Sequence, residues 1–282
     1  MPRVTRPDGV ELEWEVRGEG PLVVIANQFF GHWTVFGRLI SLLSEHHRVV
    51  TYDPRGIGDS SLQGPYEIDT DAGDLGAVIE AAGPPAAVVV AMGDGSNRAV
   101  RLASERPELV DAVVCVAGNP VGRAAVGSDG LAASDGVLDA LQSMMETDYR
   151  GALRTMITTA NPDWDEEAVR ERVNVSVEHC PQEAAAPRMR SWIRDQSEEH
   201  ARSLGGRLWI LEDGTNPWFL QTAERTAELL PEAHVFATED GAISRPDIAA
   251  SYVSALTGAG PVTTEKGRAT RHGPSVQAAP RR

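Results

Sequence analysis

Short, largely apolar and often β-branched runs recur along the chain, each followed by a stretch with helical spacing. That alternation limits the fold more than any other feature. The runs are "PLVVIA" (21–26), "HRVVTYD" (47–53), "AAVVVAM" (86–92), "LVDAVVCVAG" (109–118), "RLWILED" (207–213) and "HVFATE" (234–239). A run as uniformly apolar as "PLVVIA" is buried on both faces, and strands alternating with helices are the mark of a parallel sheet covered by helices. The helical stretches between and after them, 33–46, 69–82, 96–106, 222–230 and 246–256, predict the covering layers. Ahead of them, "RVTRPDGVELEWEV" predicts a hairpin turning at Pro7-Asp8-Gly9. The fold class is therefore α/β, a mostly parallel doubly wound sheet, with a site expected at the carboxyl ends of the strands.

The alternation stops between the fourth and fifth of these runs. We read 1–119 as the first part of the core, 120–205 as an inserted helical cap, 206–260 as the second part of the core and 261–282 as a disordered tail without apolar periodicity. Within the cap, 136–160 and 183–200 have helical spacing. Asp163, with Glu166 three residues later, is a start signal for a helix between them. A cap over the strand ends would exclude water and shape a pocket for a fairly large apolar ligand.

Composition narrows the partners. A chain of 282 residues with net charge −15 lacks the basic footprint of a nucleic-acid binder. No apolar run is long enough to span a membrane, and the first residues lack the apolar region of a signal peptide, so a cytoplasmic location is expected. The two cysteines, Cys115 and Cys180, make neither a disulfide framework nor a metal cluster. Cys115, inside an apolar run, is expected to be a buried core thiol. His179 beside Cys180 has no metal-ligand spacing, and no metal or other cofactor is expected. The expected partner is a small-molecule substrate, with a homodimer left open.

The segment "YDPRGIGDSS" (52–61) supplies Asp53, Arg55, Gly56, Gly58 and Ser60 in a D-x-R-G-x-G-x-S pattern. With "ASERPELVDAVVCVAG" and the order of elements, it resembles the α/β-hydrolase superfamily in its capped, epoxide-hydrolase- and esterase-like form. The resemblance covers about residues 8 to 258 and implies the α/β-hydrolase fold. The D-x-R-G pattern is a turn marker rather than a catalytic one.

The resemblance places Ala91-Met92-Gly93-Asp94-Gly95 on the family's G-x-S-x-G nucleophile elbow, with Gly93 in the serine's place. Asn27-Gln28 takes the place of the usual His-Gly at the oxyanion segment. The acid position falls at Asn216, with Asp213 as the alternative. The loop that carries the family's histidine, 239–244, has none, and Ala242 marks the vacated place. In subtilisin, removing the serine or the histidine lowers kcat by about 10⁶. Gly93, Asn216 and Ala242 thus read as vacated triad positions, similar to non-hydrolytic members of the superfamily in natural-product pathways.

The remaining polar and aromatic groups carry paired readings. Asp94 is either a general base or anchor, or a helix N-cap. His32 is either an acid–base group of the site or a structural histidine. Ser96, inside the following helix, reads as a capping residue. Asn27 and Gln28 either donate hydrogen bonds to a ligand oxygen or satisfy strand ends. Phe29, Phe30, Trp33 and Trp218 form a stacking surface for a flat ligand or pack beneath the cap. Met92 beside the bend is a further substrate-binding candidate. Trp192 closes the pocket or packs inside the cap, and Met144-Met145 reads as adaptable cap core.

Three functions stand open. The first is a non-hydrolytic enzyme acting on a bulky aromatic or polyketide-like molecule by cyclisation, epoxide opening or carbon–carbon bond formation. The others are an epoxide-hydrolase- or dehalogenase-like enzyme using Asp94, and a catalytically silent ligand binder.

Overall fold

Eight strands form one sheet in the computed structural model, which describes residues 1–122, 128–214, 216–238 and 245–260, with the side chains of 128–135 and 217–219 left aside. The strands are β1 (Arg3–Thr5), β2 (Glu11–Arg17), β3 (Leu22–Ala26), β4 (Arg48–Tyr52), β5 (Ala86–Met92), β6 (Val110–Val116), β7 (Leu208–Asp213) and β8 (His234–Thr238). Their order is β1-β2-β4-β3-β5-β6-β7-β8. β1 and β2 form the expected antiparallel hairpin, β2 runs antiparallel to β4, and every pairing from β4 to β8 is parallel.

All five residues of β3 are buried, as its unbroken apolar sequence requires of a central strand covered on both sides. In register, Val24 lies beside Val50 on one side and Val89 on the other. The chain leaves β3 for β4 on one flank and then passes to β5 on the other. The reversal of direction opens a crevice at the carboxyl ends of β3 and β5.

Helices α1 (Gly37–Leu43), α2 (Ile68–Ala82) and α3 (Gly95–Glu105) precede the insertion. Between β6 and β7 lie α4 (Ser128–Thr147), α5 (Tyr149–Ala160), α6 (Glu166–His179), α7 (Gln182–Arg194) and α8 (Glu198–Leu204); α9 (Pro217–Leu229) and α10 (Pro246–Thr257) follow. The apolar faces of α2 and α3 cover one side of the sheet through Leu75, Ile79, Val100 and Leu102. Those of α1 and α10 cover the other through Leu39, Ile40, Leu43 and Val253. The doubly wound sheet with a helical insertion is as expected from the sequence.

Inside the insertion the helical stretches are divided, and two local expectations, the cap at Asp163 and a single helix over 183–200, fail. The stretch 136–160 is not one helix: it breaks at Asp148, whose carboxylate accepts the Gly151 N–H at 3.0 Å and starts α5 afresh. The start signal at Asp163 is displaced to Asp165, which accepts the Ala168 N–H at 2.8 Å. The stretch 183–200 is likewise two helices, separated at Asp195–Ser197, where Asp195 binds Asn97 and Arg101 of α3. In each case an aspartate satisfies backbone or cationic groups more fully outside the helix than within it. The tail 261–282 lies outside the described residues.

The D-x-R-G turn is built as a scaffold. Ser60 Oγ donates to Asp53 O (2.6 Å) and accepts the Glu13 N–H (2.8 Å), while Gly58 has φ +54°. Arg55, 1% exposed, forks onto Asp74 of α2 at 2.7 and 2.8 Å and reaches Asp8 at 2.9 Å. A second ionic cluster fastens the insertion to the core. Arg188 of α7 forks onto Asp71 of α2 at 2.8 and 3.0 Å and also donates to Arg55 O. Its guanidinium lies 4.8 Å from the centre of the Tyr66 ring. Cys115 and Cys180 are both free and buried, and burial pushes Cys115 up to about 12. No helix among the described residues is long and apolar enough to cross a membrane.

Candidate functional site

The bend between β5 and α3 falls on Gly93, at φ +55°. That left-handed conformation suits glycine and costs another residue about 1–2 kcal/mol. A Cβ built on Gly93 would sit 3.2 Å from Gln28 Oε1 and 3.3 Å from Gln28 Cβ. The Gln28 side chain therefore covers the place where a side chain at the bend would begin.

A cavity of about 220 Å³ opens beside this bend. Its floor is made by Met92 and Gly93 from the end of β5 and by Val116 and Ala117 from the end of β6. The loop after β3 contributes Gln28 and Phe30, and the turn before α1 contributes Val35 and Phe36. The insertion supplies the roof: Met156, Ile157 and Ala160 of α5, then Asn161 and Trp164, and Arg172 of α6. Most of this wall is apolar, and its polar side chains are the amides of Gln28 and Asn161, the guanidinium groups of Arg38 and Arg172 and the indole of Trp164. The described lining contains no hydroxyl, thiol, imidazole or carboxyl side chain.

Of the residues singled out in the sequence, Gln28, Phe30, Met92 and Gly93 line this cavity. Asn27 is buried beneath the loop: its Nδ2 donates to Gly31 O (2.6 Å) and its Oδ1 accepts the Gln28 N–H (2.9 Å). It fixes the loop's path and does not face a ligand. Phe29 points away from the cavity into the cap–core contact, with its ring centre 4.8 Å from that of Phe30 and 6.4 Å from that of Trp192. Trp192 packs in that same cluster, as does Met145. Trp33 lies under the Arg17 guanidinium at 5.0 Å. The Trp218 side chain and Ala242 lie outside the described residues.

Asp94 takes the N-cap position of α3, but its side chain makes no capping hydrogen bond and does not line the cavity. Its Oδ1 accepts the Phe29 N–H at 2.8 Å and its Oδ2 accepts from Arg98 at 2.6 Å. Burial pushes the Asp94 carboxyl above its ordinary value, against the pull of Arg98. Arg98 stands between Asp94 and Asp71, 3.7 Å from the latter, so one buried chain of charges runs Asp94–Arg98–Asp71–Arg188.

His32 is also outside the lining. Its Nδ1 pairs with Thr34 Oγ1 at 2.8 Å, its Nε2 is 3.2 Å from Asp53 Oδ1, and its ring stacks on that of His179 at 4.0 Å. These contacts join the loop, the D-x-R-G turn and the end of α6. Ser96 makes no capping bond; it is buried beside the Cys115 thiol. Asn216 is buried and donates to Thr159 O at the end of α5 (3.1 Å), tying the segment after β7 to the insertion. Asp213, at the end of β7, is buried next to Glu212. Burial and the Asp213 carboxylate raise Glu212 well above its ordinary value.

The sequence reading missed Phe36, Trp164 and Arg172. Arg172 had a visible signal: Val169, Val173 and Ser176 form the buried stripe of α6, and Arg172 falls on that stripe at helical spacing. A charged residue on a buried face marks a special environment. Among the described residues, no group of three or more His, Cys, Asp or Glu side chains could hold a metal ion.

Comparison with known proteins agrees with this architecture. A profile of the family described as the alpha/beta hydrolase fold matches residues 21–241. A protein named "Putative carbamate hydrolase RutD" of Caulobacter segnis is 33% identical over 117 residues, 39% of this chain and 43% of that protein. A protein named "Probable oxidoreductase EphD" of Mycobacterium tuberculosis is 34% identical over 115 residues, 39% of this chain and 19% of that protein. The chain thus spans less than half the length of these curated relatives. The esterase EaEST of Exiguobacterium antarcticum superposes with a TM-score of 0.74 at 18% identity, covering 89% of this chain and 98% of that one. At that identity the likeness is one of fold. With the sheet order, the helical insertion and the matched profile in agreement, the chain belongs to the alpha/beta hydrolase fold family.

Proposed function

We propose that this cavity binds a compact, largely aromatic small molecule and does not carry out serine-type hydrolysis. The chemistry open to it is that of positioning: cyclisation, epoxide opening or carbon–carbon bond formation in specialised metabolism. The observation that carries the reading is Gly93 at the strand–helix bend, with Gln28 over the place a nucleophile would occupy. Two further facts support it. The described lining offers no other nucleophile, and the loop 239–244 contains no histidine. A dry, shaped cavity holding a reactive molecule in a near-attack pose can accelerate such steps without a covalent intermediate.

The volume narrows the ligand. Pockets that enclose a drug-sized molecule run to about 300–1,000 Å³, so about 220 Å³ suits one or two rings rather than the bulky molecule expected from the sequence. An Asp94-based hydrolase is less well supported, because that carboxylate is held between Phe29 and Arg98 behind the wall. Incubation with an aryl epoxide followed by intact-mass measurement should leave Asp94 unmodified. The decisive experiment is stopped-flow hydrolysis of 4-nitrophenyl acetate. No burst of nitrophenol and no turnover above the buffer rate is the expected result, and a stoichiometric burst overturns the reading.

A second reading, the silent binder, is favoured by the lack of any acid–base side chain in the described lining. Ligand bound and recovered unchanged after prolonged incubation would select it over the enzyme.

A further inference from the structure

Among the described residues, Arg172 is a cation held in a largely apolar wall with no anion beside it. Arg172 of α6 lines the cavity, and its guanidinium carbon lies 5.6 Å from the centre of the Phe36 ring, which lines the same wall. Among the described residues no ion pair or hydrogen bond reaches it, and burial alone draws its pKa down to about 10, so it remains charged at neutral pH. Arg38 stands in the same wall and adds a second cationic group.

The rest of the molecule treats buried arginines differently. Arg55, Arg98 and Arg188 each meet at least one buried aspartate. A guanidinium drawn out of water without a counter-ion opposes folding. Its presence on the buried stripe of α6 is accounted for when a bound molecule supplies the missing charge. A guanidinium recognises a planar carboxylate through two parallel hydrogen bonds, and this geometry discriminates as well as attracts.

The remaining wall describes the rest of that molecule. Phe36 and Trp164 add two aromatic rings to the lining. Gln28, whose side chain has no hydrogen-bond partner among the described residues, offers a donor and an acceptor over Gly93. We propose that the cavity takes a compact aromatic carboxylate, its carboxylate paired with Arg172, its ring between Phe36 and Trp164, and its far end at Gln28. The inference rests on the reading of this cavity as the ligand site, and not on whether the ligand is transformed.

Isothermal titration with 2-naphthoate and with the isosteric, uncharged 2-naphthamide tests it. The protein is expected to bind the acid at least ten-fold more tightly than the amide. Arg172→Gln should abolish that preference with no fall in the unfolding midpoint. Arg172→Lys, which keeps the charge but loses the two-pronged geometry, should retain only part of it. A wild-type protein that binds neither probe, or both equally, overturns the proposal, as does a preference that survives in Arg172→Gln. Were Arg172→Gln not to fold, the wild-type acid-to-amide ratio and Arg172→Lys would still decide. Esterase activity in the same preparation would overturn the absence of hydrolysis proposed above without touching this inference.

Discussion

Arg188 and Arg172 both reach from helices of the insertion toward the core, and the protein treats them in opposite ways. Arg188 is buried, forked onto Asp71 and bonded to a backbone carbonyl, at one end of a chain of alternating charges through Arg98 to Asp94. Arg172 is partly buried, faces a cavity and has an aromatic ring where its counter-ion would be. The first arrangement fastens the insertion to the sheet; the second leaves part of the insertion's inner surface ready for something else. The difference teaches that burial of charge has two meanings in one small region. A saturated cation belongs to the architecture, and an unsaturated one points to what comes from outside.

The contrast breaks most visibly at Asp71. Asp71→Ala strips partners from Arg188 and Arg98 together and is expected to destabilise the fold by about 3–5 kcal/mol, read by urea unfolding. A loss below about 1 kcal/mol would mean that the charge chain does not fasten the insertion. Gly93→Ser tests the strand–helix bend at the cavity floor. The left-handed backbone should cost about 1–2 kcal/mol, and no nitrophenyl acetate hydrolysis should appear. Recovery of a burst would show that the remaining machinery is intact.

Arg172→Met sharpens the comparison from the other side. Removing an unpaired cation should leave stability unchanged or raise it by about 1 kcal/mol. A clear loss in thermal denaturation would make Arg172 architectural after all.

The smallest test reads a slope with pH. Burial pushes Asp71 up, but Arg188 and Arg98 outweigh it and hold the carboxyl below its ordinary value. Its contribution is therefore present above the ordinary carboxylate range and lost as pH falls through the folded value. Glu212 is the reverse: burial and Asp213 raise it, so its contribution is present at low pH and lost as pH rises through the raised value. Asp71→Asn should flatten the acid limb of the stability profile and Glu212→Gln the limb above it. A profile unchanged by either substitution would remove that group from the account.

The centre of the sheet was legible because β3 and β5 are wholly apolar, and burial on both faces leaves few other choices for a run such as Val88–Val89–Val90. The breaks in the insertion were not, because Asp148, Asp165 and Asp195 act through side-chain hydrogen bonds that helical periodicity does not register. The aromatic density after β3 was visible, yet only Phe30 of its three rings reaches the cavity. Which way each ring turns depends on Asn27 and Asp94 gripping the loop's backbone, and Asp94 lies 65 residues away in the chain. The charge chain draws on α2, the bend, α3 and α7, so no local pattern could announce it. Arg172 was the exception, readable as a misfit on its own helix.

The bond from the Phe29 N–H to Asp94 has a consequence for how such a fold can change. Relatives with a serine at the bend use an amide from this loop to steady the negative oxygen that forms during acyl transfer. Here a carboxylate of the chain itself already accepts an amide of that loop, and its negative charge would repel an incoming oxyanion. On the proposed reading, ancestral chemistry could not return by one substitution. The nucleophile and a vacant amide would have to come back together, and until then the resident anion bars the way.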